Sequence, residues 1–141
     1  MFATIVVGTD WSETAEVALV KAIELARAGG ARVHVVTASP PPPPRASGAA
    51  GVGERRGPIG PDFQADVVLE RTLERLGAGD LEVQQHMSTE APGDAIVEVA
   101  EQVGADLIVV GNRGMRRRVL GSTPNTVSHR APCDVLIVQT G

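Results

Sequence analysis

The sequence predicts an α/β fold, in which an open, doubly wound, mostly parallel sheet of five strands carries helices on both faces. Short apolar runs rich in β-branched residues recur along the chain, as expected for strands buried on both faces. Segments with apolar residues at intervals of three and four, typical of amphipathic helices, alternate with those runs. Because 141 residues suffice for one ordinary domain, we expect a single domain over residues 1–141.

The first part of the chain predicts one β–α–β unit. Residues 3–8 form an apolar run that ends in glycine, and we expect the first strand there. A helix should follow, with Asp10 or Ser12 as its N-cap, and the two glycines at 29–30 should end it. Residues 32–38 are predicted to be the second strand, parallel to the first because a helix connects them.

A proline- and glycine-rich segment interrupts this pattern at residues 39–61. Its five consecutive prolines and scattered glycines predict a flexible loop within the domain, because the segment has little apolar surface to bury. A proline motif that binds a partner domain is the alternative. Helical periodicity resumes from Asp62, a candidate N-cap, to Leu76, and residues 81–87 alternate as a strand polar enough for a sheet edge.

The second half repeats the alternation of helices and strands. Residues 92–103 are predicted to form a helix, and residues 107–110 a central strand because that run is apolar throughout. A short helix over residues 124–130 and a last strand over residues 134–139 complete five strands and four helices.

A glycine- and arginine-rich loop follows the central strand. Gly111 and Gly114 allow the backbone to approach a ligand closely, and four arginines lie nearby: Arg113, Arg116, Arg117 and Arg118. Ser122 or Thr123 should cap the next helix, with Pro124 in its first turn. Amides at a helix N-terminus bind anions, so we predict a phosphorylated ligand. The alternative is an ordinary connection with solvated arginines, since the spacing matches neither a Walker loop nor a dinucleotide fingerprint.

Asp10 is the second candidate for ligand binding. In doubly wound sheets, ligands bind beyond the carboxyl ends of the strands, where the strand order reverses. If the first and fourth strands are neighbours there, Asp10 and the glycine loop line one crevice. The carboxylate could then accept hydrogen bonds from an amino group or from ribose hydroxyls. The alternative is that Asp10 only caps the first helix.

Composition restricts the class of protein. The net charge of −4, with basic residues clustered only in the loop and no tyrosine, argues against nucleic acid as a partner. No apolar run approaches the roughly 20 residues that a membrane span needs. The single cysteine, Cys133, and the absence of a recognisable secretory signal predict the cytoplasm. No metal site is predicted, because His34, His86 and His129 look isolated in the sequence.

Several stretches of the chain resemble one protein family. They are residues 5–12 (IVVGTDWS), 35–38, 105–114 (ending in GNRG), 120–122 and 131–138. These stretches resemble the universal stress protein A family over nearly the whole chain outside residues 39–61. The resemblance implies a Rossmann-like fold of the adenine-nucleotide alpha-hydrolase type, with ATP, alone or with Mg²⁺, as the ligand. The resemblance matches six residues to the family's nucleotide site: Asp10, Ala38, Gly111, Gly114, Gly121 and Ser122. With their neighbours Gly8, Thr9, Arg113 and Thr123 they make up the expected site.

The resemblance further implies a stress-response regulator or sensor, with at most weak ATP hydrolysis. It implies a homodimer formed through the last strand, at Val135, Leu136, Ile137 and Val138. Two departures from the family pattern matter. Only six residues separate Gly114 from Gly121, three fewer than in members that bind ATP, and Trp11, which could stack on or block the base side, stands where a small residue is common. The alternative is therefore a dimeric interaction protein that binds no nucleotide.

Overall fold

The computed structural model describes residues 2–38, 65–112 and 120–140, and these contain five strands and four helices. In chain order they are β1 (Thr4–Thr9), α1 (Glu13–Gly29), β2 (Arg32–Ala38), α2 (Ala65–Arg75), β3 (Val83–Ser88), α3 (Pro92–Val103), β4 (Leu107–Asn112), α4 (Ser122–Arg130) and β5 (Asp134–Gln139). The predicted loop at 39–61 and the predicted cap Asp62 lie outside the described residues.

The strands form one sheet with the order β3-β2-β1-β4-β5, and every neighbouring pair is parallel. The chain adds β2 and β3 on one side of β1, then returns to add β4 and β5 on the other side. The strand order therefore reverses between β1 and β4, as the sequence-based hypothesis requires. The polar strand β3 lies at one edge, as predicted, and β5 lies at the other.

Helices cover both faces of the sheet, which confirms the predicted α/β architecture. On one face, α1 and the α2 residues Leu69 and Leu73 pack on side chains such as Val7 and Val35. On the other face, α3 and Val127 of α4 pack on alternate strand residues such as Val6. The continuous apolar runs are thus explained, because the central strands β1, β2 and β4 are buried from both sides.

The two helices that flank the predicted crevice begin differently. Ser12 is the N-cap of α1, and its hydroxyl accepts a hydrogen bond from the Ala15 amide at 3.2 Å. The prediction that Ser122 or Thr123 caps α4 is wrong: Gly121 is the N-cap, and helical geometry begins at Ser122. Gly121 is held in an extended conformation, with φ −67° and ψ 175°, and no side chain of the described residues caps this helix.

Two histidines that look isolated in the sequence are paired in the fold. The His34 Nδ1 and His86 Nε2 atoms lie 2.9 Å apart across the neighbouring strands β2 and β3. The expectation of isolated rings is wrong here because the two residues are 52 positions apart along the chain and only strand pairing brings them together. Burial is the main cause that lowers the pKa of each ring, and for His34 the neighbouring His86 lowers it further.

No helix within the described part of the chain is both long and apolar enough to cross a membrane.

Candidate functional site

A cavity of about 330 Å³ opens at the carboxyl ends of β1, β2 and β4, beside the point where the strand order reverses. Eight of the ten site residues that the sequence suggested line it: Gly8, Thr9, Asp10, Ala38, Gly111, Gly121, Ser122 and Thr123. The other two, Arg113 and Gly114, lie outside the described residues. The fold therefore joins the turn after β1 and the start of α4 in one crevice of the size that small-molecule sites have.

Asp10 lies exposed at the rim of this cavity. Its Oδ1 atom accepts a hydrogen bond from the Ser12 amide at 2.9 Å, which orients the carboxylate in a local turn before the helix. The N-cap of α1 is Ser12, so the alternative in which Asp10 itself caps the helix is wrong. A carboxylate oxygen has two lone pairs, and Asp10 can accept further hydrogen bonds from a ligand in the cavity.

The two strand glycines that line the cavity, Gly8 and Gly111, are closely packed against neighbouring side chains. A Cβ atom on Gly8 would lie 2.4 Å from Ile96 Cδ1, and one on Gly111 would lie 2.9 Å from Thr140 Cγ2. Gly121 differs, because a Cβ there would meet nothing closer than the Asn112 Oδ1 atom at 3.7 Å. None of these three glycines has a positive φ. These glycines contribute by lacking a side chain, which leaves space in the cavity, above all at Gly8.

Asn112 is a structural residue of the site that the sequence analysis missed. Its side chain is 2% exposed, and its Oδ1 atom accepts a hydrogen bond from the Gly121 amide at 3.0 Å. This bond connects the end of β4 to the start of α4. An amide residue directly after an apolar run is the signal that could have identified it, since a buried amide needs a hydrogen-bond partner.

The first turn of α4 faces the cavity with main-chain donors. Ser122 and Thr123 occupy its first two positions and line the cavity, whereas Pro124, in the third, has no N–H. The first amides of a helix have no partner within the helix. With the helix dipole behind them, the Ser122 and Thr123 amides form an end that attracts anions.

Trp11 neither stacks in the cavity nor blocks it. Its ring packs against the core that α1 and α2 cover, and its indole N–H donates to Thr37 Oγ1 at 2.9 Å. The cavity wall includes Val36 and Ile96 from the core on the opposite face of the sheet, together with Thr14 and Ala15 at the start of α1. The backbone of Trp11 has a positive φ of 63°, and its side chain leaves the turn toward the other core.

Asp10 is the only ionisable side chain among the described residues that line the cavity. Within that same part of the chain, no group of three or more His, Cys, Asp or Glu side chains is placed to hold a metal ion. The cavity therefore combines one carboxylate at its rim with the main-chain donors of the first turn of α4 and with apolar side chains such as Val36 and Ile96.

Comparisons with known proteins agree with this geometry. The sequence profile of the universal stress protein family matches residues 1–139. A universal stress protein of Mycobacterium tuberculosis is 36% identical over 143 residues, which cover 99% of this chain and 97% of that protein. A crystal structure of a universal stress protein in complex with cAMP has a TM-score of 0.72 and 33% identity, covering 99% of this chain and 98% of that one. The universal stress protein from Archaeoglobus fulgidus in complex with dAMP has a TM-score of 0.65 and 27% identity, covering 97% of this chain and 98% of that one.

Proposed function

The chain belongs to the universal stress protein family, and from that premise we propose that its cavity binds an adenine nucleotide, with ATP as the expected ligand. The protein would act as a stress-response regulator or sensor whose state depends on the nucleotide. One observation carries the proposal: Asp10 and the amide end of α4 line a single cavity at the reversal of strand order.

The end of the cavity near β1 and β2 suits a nucleoside. Gly8 and Ala38 present little side-chain bulk there, and Val36 and Ile96 provide apolar surface for a planar base. Asp10 stands at the rim, where its carboxylate can accept hydrogen bonds from an amino group or from ribose hydroxyls. We propose that the adenosine lies in this end.

The end of the cavity near α4 suits phosphate. The Ser122 and Thr123 amides and hydroxyls supply neutral donors, and these hold the phosphate nearest the nucleoside in our proposal. The chain supplies positive charge from Arg113 and from the arginines at 116–118, next to Gly114. We assign these residues to the outer phosphates. The segment between Gly114 and Gly121 is three residues shorter than in family members that bind ATP and offers fewer main-chain donors, and the arginine charge would compensate for them.

Binding, without a dedicated reaction, is the role we propose for this site. The cavity combines hydrogen-bond donors with one exposed carboxylate, a set that can recognise a nucleotide. Two similar proteins have solved structures in complex with cAMP and with dAMP, which supports an adenine nucleotide here. Mg²⁺ can be bound by the triphosphate itself, so the titration described below measures ATP binding both with and without Mg²⁺.

We also propose a homodimer through β5. Val135, Leu136, Ile137 and Val138 are each partly exposed, whereas the β4 partners of the first three, Ile108, Val109 and Val110, are buried. An apolar edge strand that is partly exposed can pair with the edge strand of another copy. The alternative function, an interaction protein that binds no nucleotide, would use the same edge.

Calorimetric titration with ATP, AMP and adenosine, with and without Mg²⁺, tests the nucleotide proposal. Ser122→Pro removes one amide N–H where proline is best tolerated in a helix, after an extended Gly121. Ser122→Ala is the matched comparison: it keeps that amide and removes only the hydroxyl, so it should weaken ATP binding less than Ser122→Pro does. We expect Ser122→Pro to weaken ATP and AMP binding about tenfold, the loss of one charge-assisted hydrogen bond, and to leave adenosine binding unchanged. Equal binding of ATP by both variants and the wild type would contradict the phosphate assignment.

A further inference from the structure

The turn between β1 and α1 contains an unusual residue. Trp11 is the one non-glycine residue with a positive φ in the described part of the chain, at 63°. This left-handed conformation is unfavourable for a residue with a Cβ atom, and it is rarest for bulky side chains. Such a conformation persists only where neighbouring contacts hold it in place.

Two threonine hydroxyls supply those contacts. The Trp11 amide donates to Thr9 Oγ1 at 2.9 Å, and the indole N–H donates to Thr37 Oγ1, also at 2.9 Å. Thr9 is 8% exposed and Thr37 is fully buried, so both acceptor residues are buried and the two hydrogen bonds are partly shielded from water. Thr9 and Thr37 face each other as the last aligned pair of β1 and β2. Trp11 therefore bonds to the carboxyl ends of both strands.

The residues that follow the two threonines line the cavity. Asp10 comes directly after Thr9, and Ala38 comes directly after Thr37. The Trp11 ring contacts the core on the face of the sheet away from Val36 and Ile96, which form part of the cavity wall. Parallel pairing already spaces β1 and β2, and the Trp11–Thr37 bond in addition ties the turn that carries Asp10 to the end of β2 that carries Ala38.

We propose that Trp11 is a positioning residue, which holds Asp10 and Ala38 at the spacing that the nucleoside end of the ligand requires. This inference rests on the proposed function, because the spacing matters only if a nucleoside binds there. Trp11 itself does not touch the ligand. Its effect should appear in the affinity for the nucleoside and in the mobility of residues 10–13, and the phosphate end should not be affected.

The test compares Trp11→Phe, Thr37→Val and the double variant. Trp11→Phe keeps an aromatic ring but removes the indole donor, and Thr37→Val keeps the branched shape but removes the acceptor. Thr72→Val is the matched control, because Thr72 is also a buried threonine, 6% exposed, but lies on α2 away from the cavity. Two quantities are measured for each protein: the adenosine dissociation constant by calorimetry, and amide hydrogen exchange at residues 10–13 without ligand.

We expect each single variant to raise the adenosine dissociation constant by about three- to tenfold, the effect of one lost hydrogen bond. The double variant should be no weaker than the singles, since both remove the same bond. Exchange at residues 10–13 should be faster in all three, and the Thr72→Val protein should bind as the wild type does. A general loss of stability would not produce this non-additivity.

Two results would overturn the inference, and they are distinguishable. If the wild type binds adenosine and the Trp11 and Thr37 variants bind it equally well, or if their losses add, the positioning role is wrong and the proposed function stands. If the wild type binds no adenine compound, the proposed function fails and the inference fails with it.

Discussion

The Asn112 Oδ1 atom lies 3.0 Å from the Gly121 nitrogen, and this bond joins the last residue of β4 to the N-cap of α4. The two residues stand at either end of the glycine- and arginine-rich segment. The amide oxygen of Asn112 thus fixes where α4 begins, and α4 presents the Ser122 and Thr123 amides to the cavity. Asn112 itself also lines the cavity, so this buried side chain connects the wall of the cavity to the backbone at the start of α4.

Replacing Asn112 tests this connection. Asn112→Ala leaves the Gly121 amide without its partner, and we expect the free energy of unfolding to fall by about 1–3 kcal/mol. Urea unfolding measures the change. Gly121→Ala is the comparison: Gly121 has an ordinary φ of −67° and space for a Cβ atom, and alanine at this N-cap should cost less than about 1 kcal/mol because the bond from the residue 121 amide to Asn112 is kept. Equal effects of the two substitutions would contradict the connecting role of Asn112.

The packing role of Gly111 can be separated from ligand binding. Gly111→Ala places a Cβ atom 2.9 Å from Thr140 Cγ2, so we expect a loss of about 1–3 kcal/mol in the free energy of unfolding. Thr140→Ser removes the methyl group concerned. Thermal unfolding should show that the double variant recovers most of the loss. If Thr140→Ser gives no recovery in the Gly111→Ala background, Gly111 is required for another reason.

The paired histidines make stability depend on pH. The pKa values of His34 and His86 are lowered in the folded protein, mainly by burial, so the unfolded chain binds protons more readily. Stability is therefore full above the unfolded pKa of about 6.5 and falls as the pH drops through that value toward the folded pKa values. Among nearby charges, Arg32 also lowers the pKa of His34, and Glu82 opposes it.

A pH series of thermal unfolding from 8 to 5 measures this dependence. We expect the melting temperature to fall by about 2–5 °C more in the wild type than in His86→Gln, which removes one titrating ring and retains hydrogen-bonding groups. His129→Gln is the control, because His129 is exposed on α4 and belongs to no such pair. Identical profiles for the wild type and His86→Gln would show that this pair does not govern acid sensitivity.

The dimer proposal can be tested at one backbone group. Thr140 donates its amide to the Asn112 carbonyl at 3.1 Å, and main-chain groups alternate in direction along a strand. The Val138 amide therefore points toward β4, whereas the Ile137 amide points outward. We expect Ile137→Pro to weaken a dimer, which light scattering would report as a shift to monomer at micromolar concentration.

Two comparisons complete that experiment. Ile137→Ala retains the outward amide and should weaken the dimer less than proline does. Val138→Pro should instead lower the melting temperature, since it removes a hydrogen bond within the sheet. A wild-type protein that is monomeric at micromolar concentration would rule out β5 as the interface.

The sequence could predict the fold because the signals for strands and helices are local. Apolar runs at residues 5–7 and 107–110 are buried on both faces in the structure, and the polar residues 84–86 do lie on an edge strand. Asp10 and the start of α4 line one cavity. The sequence predicts this because ligands of doubly wound sheets bind at the carboxyl ends of the strands, where the strand order reverses, and the resemblance points to the same residues.

The errors concern contacts between residues that are distant along the chain. The His34–His86 pair and the Trp11–Thr37 bond join neighbouring strands, and no local pattern specifies which side chains will meet. The cap of α4 was misassigned because a hydroxyl residue is the usual N-cap, whereas here the Asn112 side chain holds Gly121 in that position. Each of these contacts forms only when the fold brings residues that are distant in sequence together.

Adenine-nucleotide binding in the cavity is the central claim, and a titration of ATP into the wild type and Ala38→Phe tests it most directly. Ala38 lines the nucleoside end, so a phenylalanine there should fill the space that the adenosine needs. Val17→Phe is the control, because Val17 is 44% exposed on α1 and does not line the cavity. The account predicts saturable binding at one site per chain in the wild type and in Val17→Phe, and a loss of at least about tenfold in affinity in Ala38→Phe, the loss of roughly 1.4 kcal/mol of binding free energy. No binding by the wild type, or equal binding by all three proteins, would contradict it.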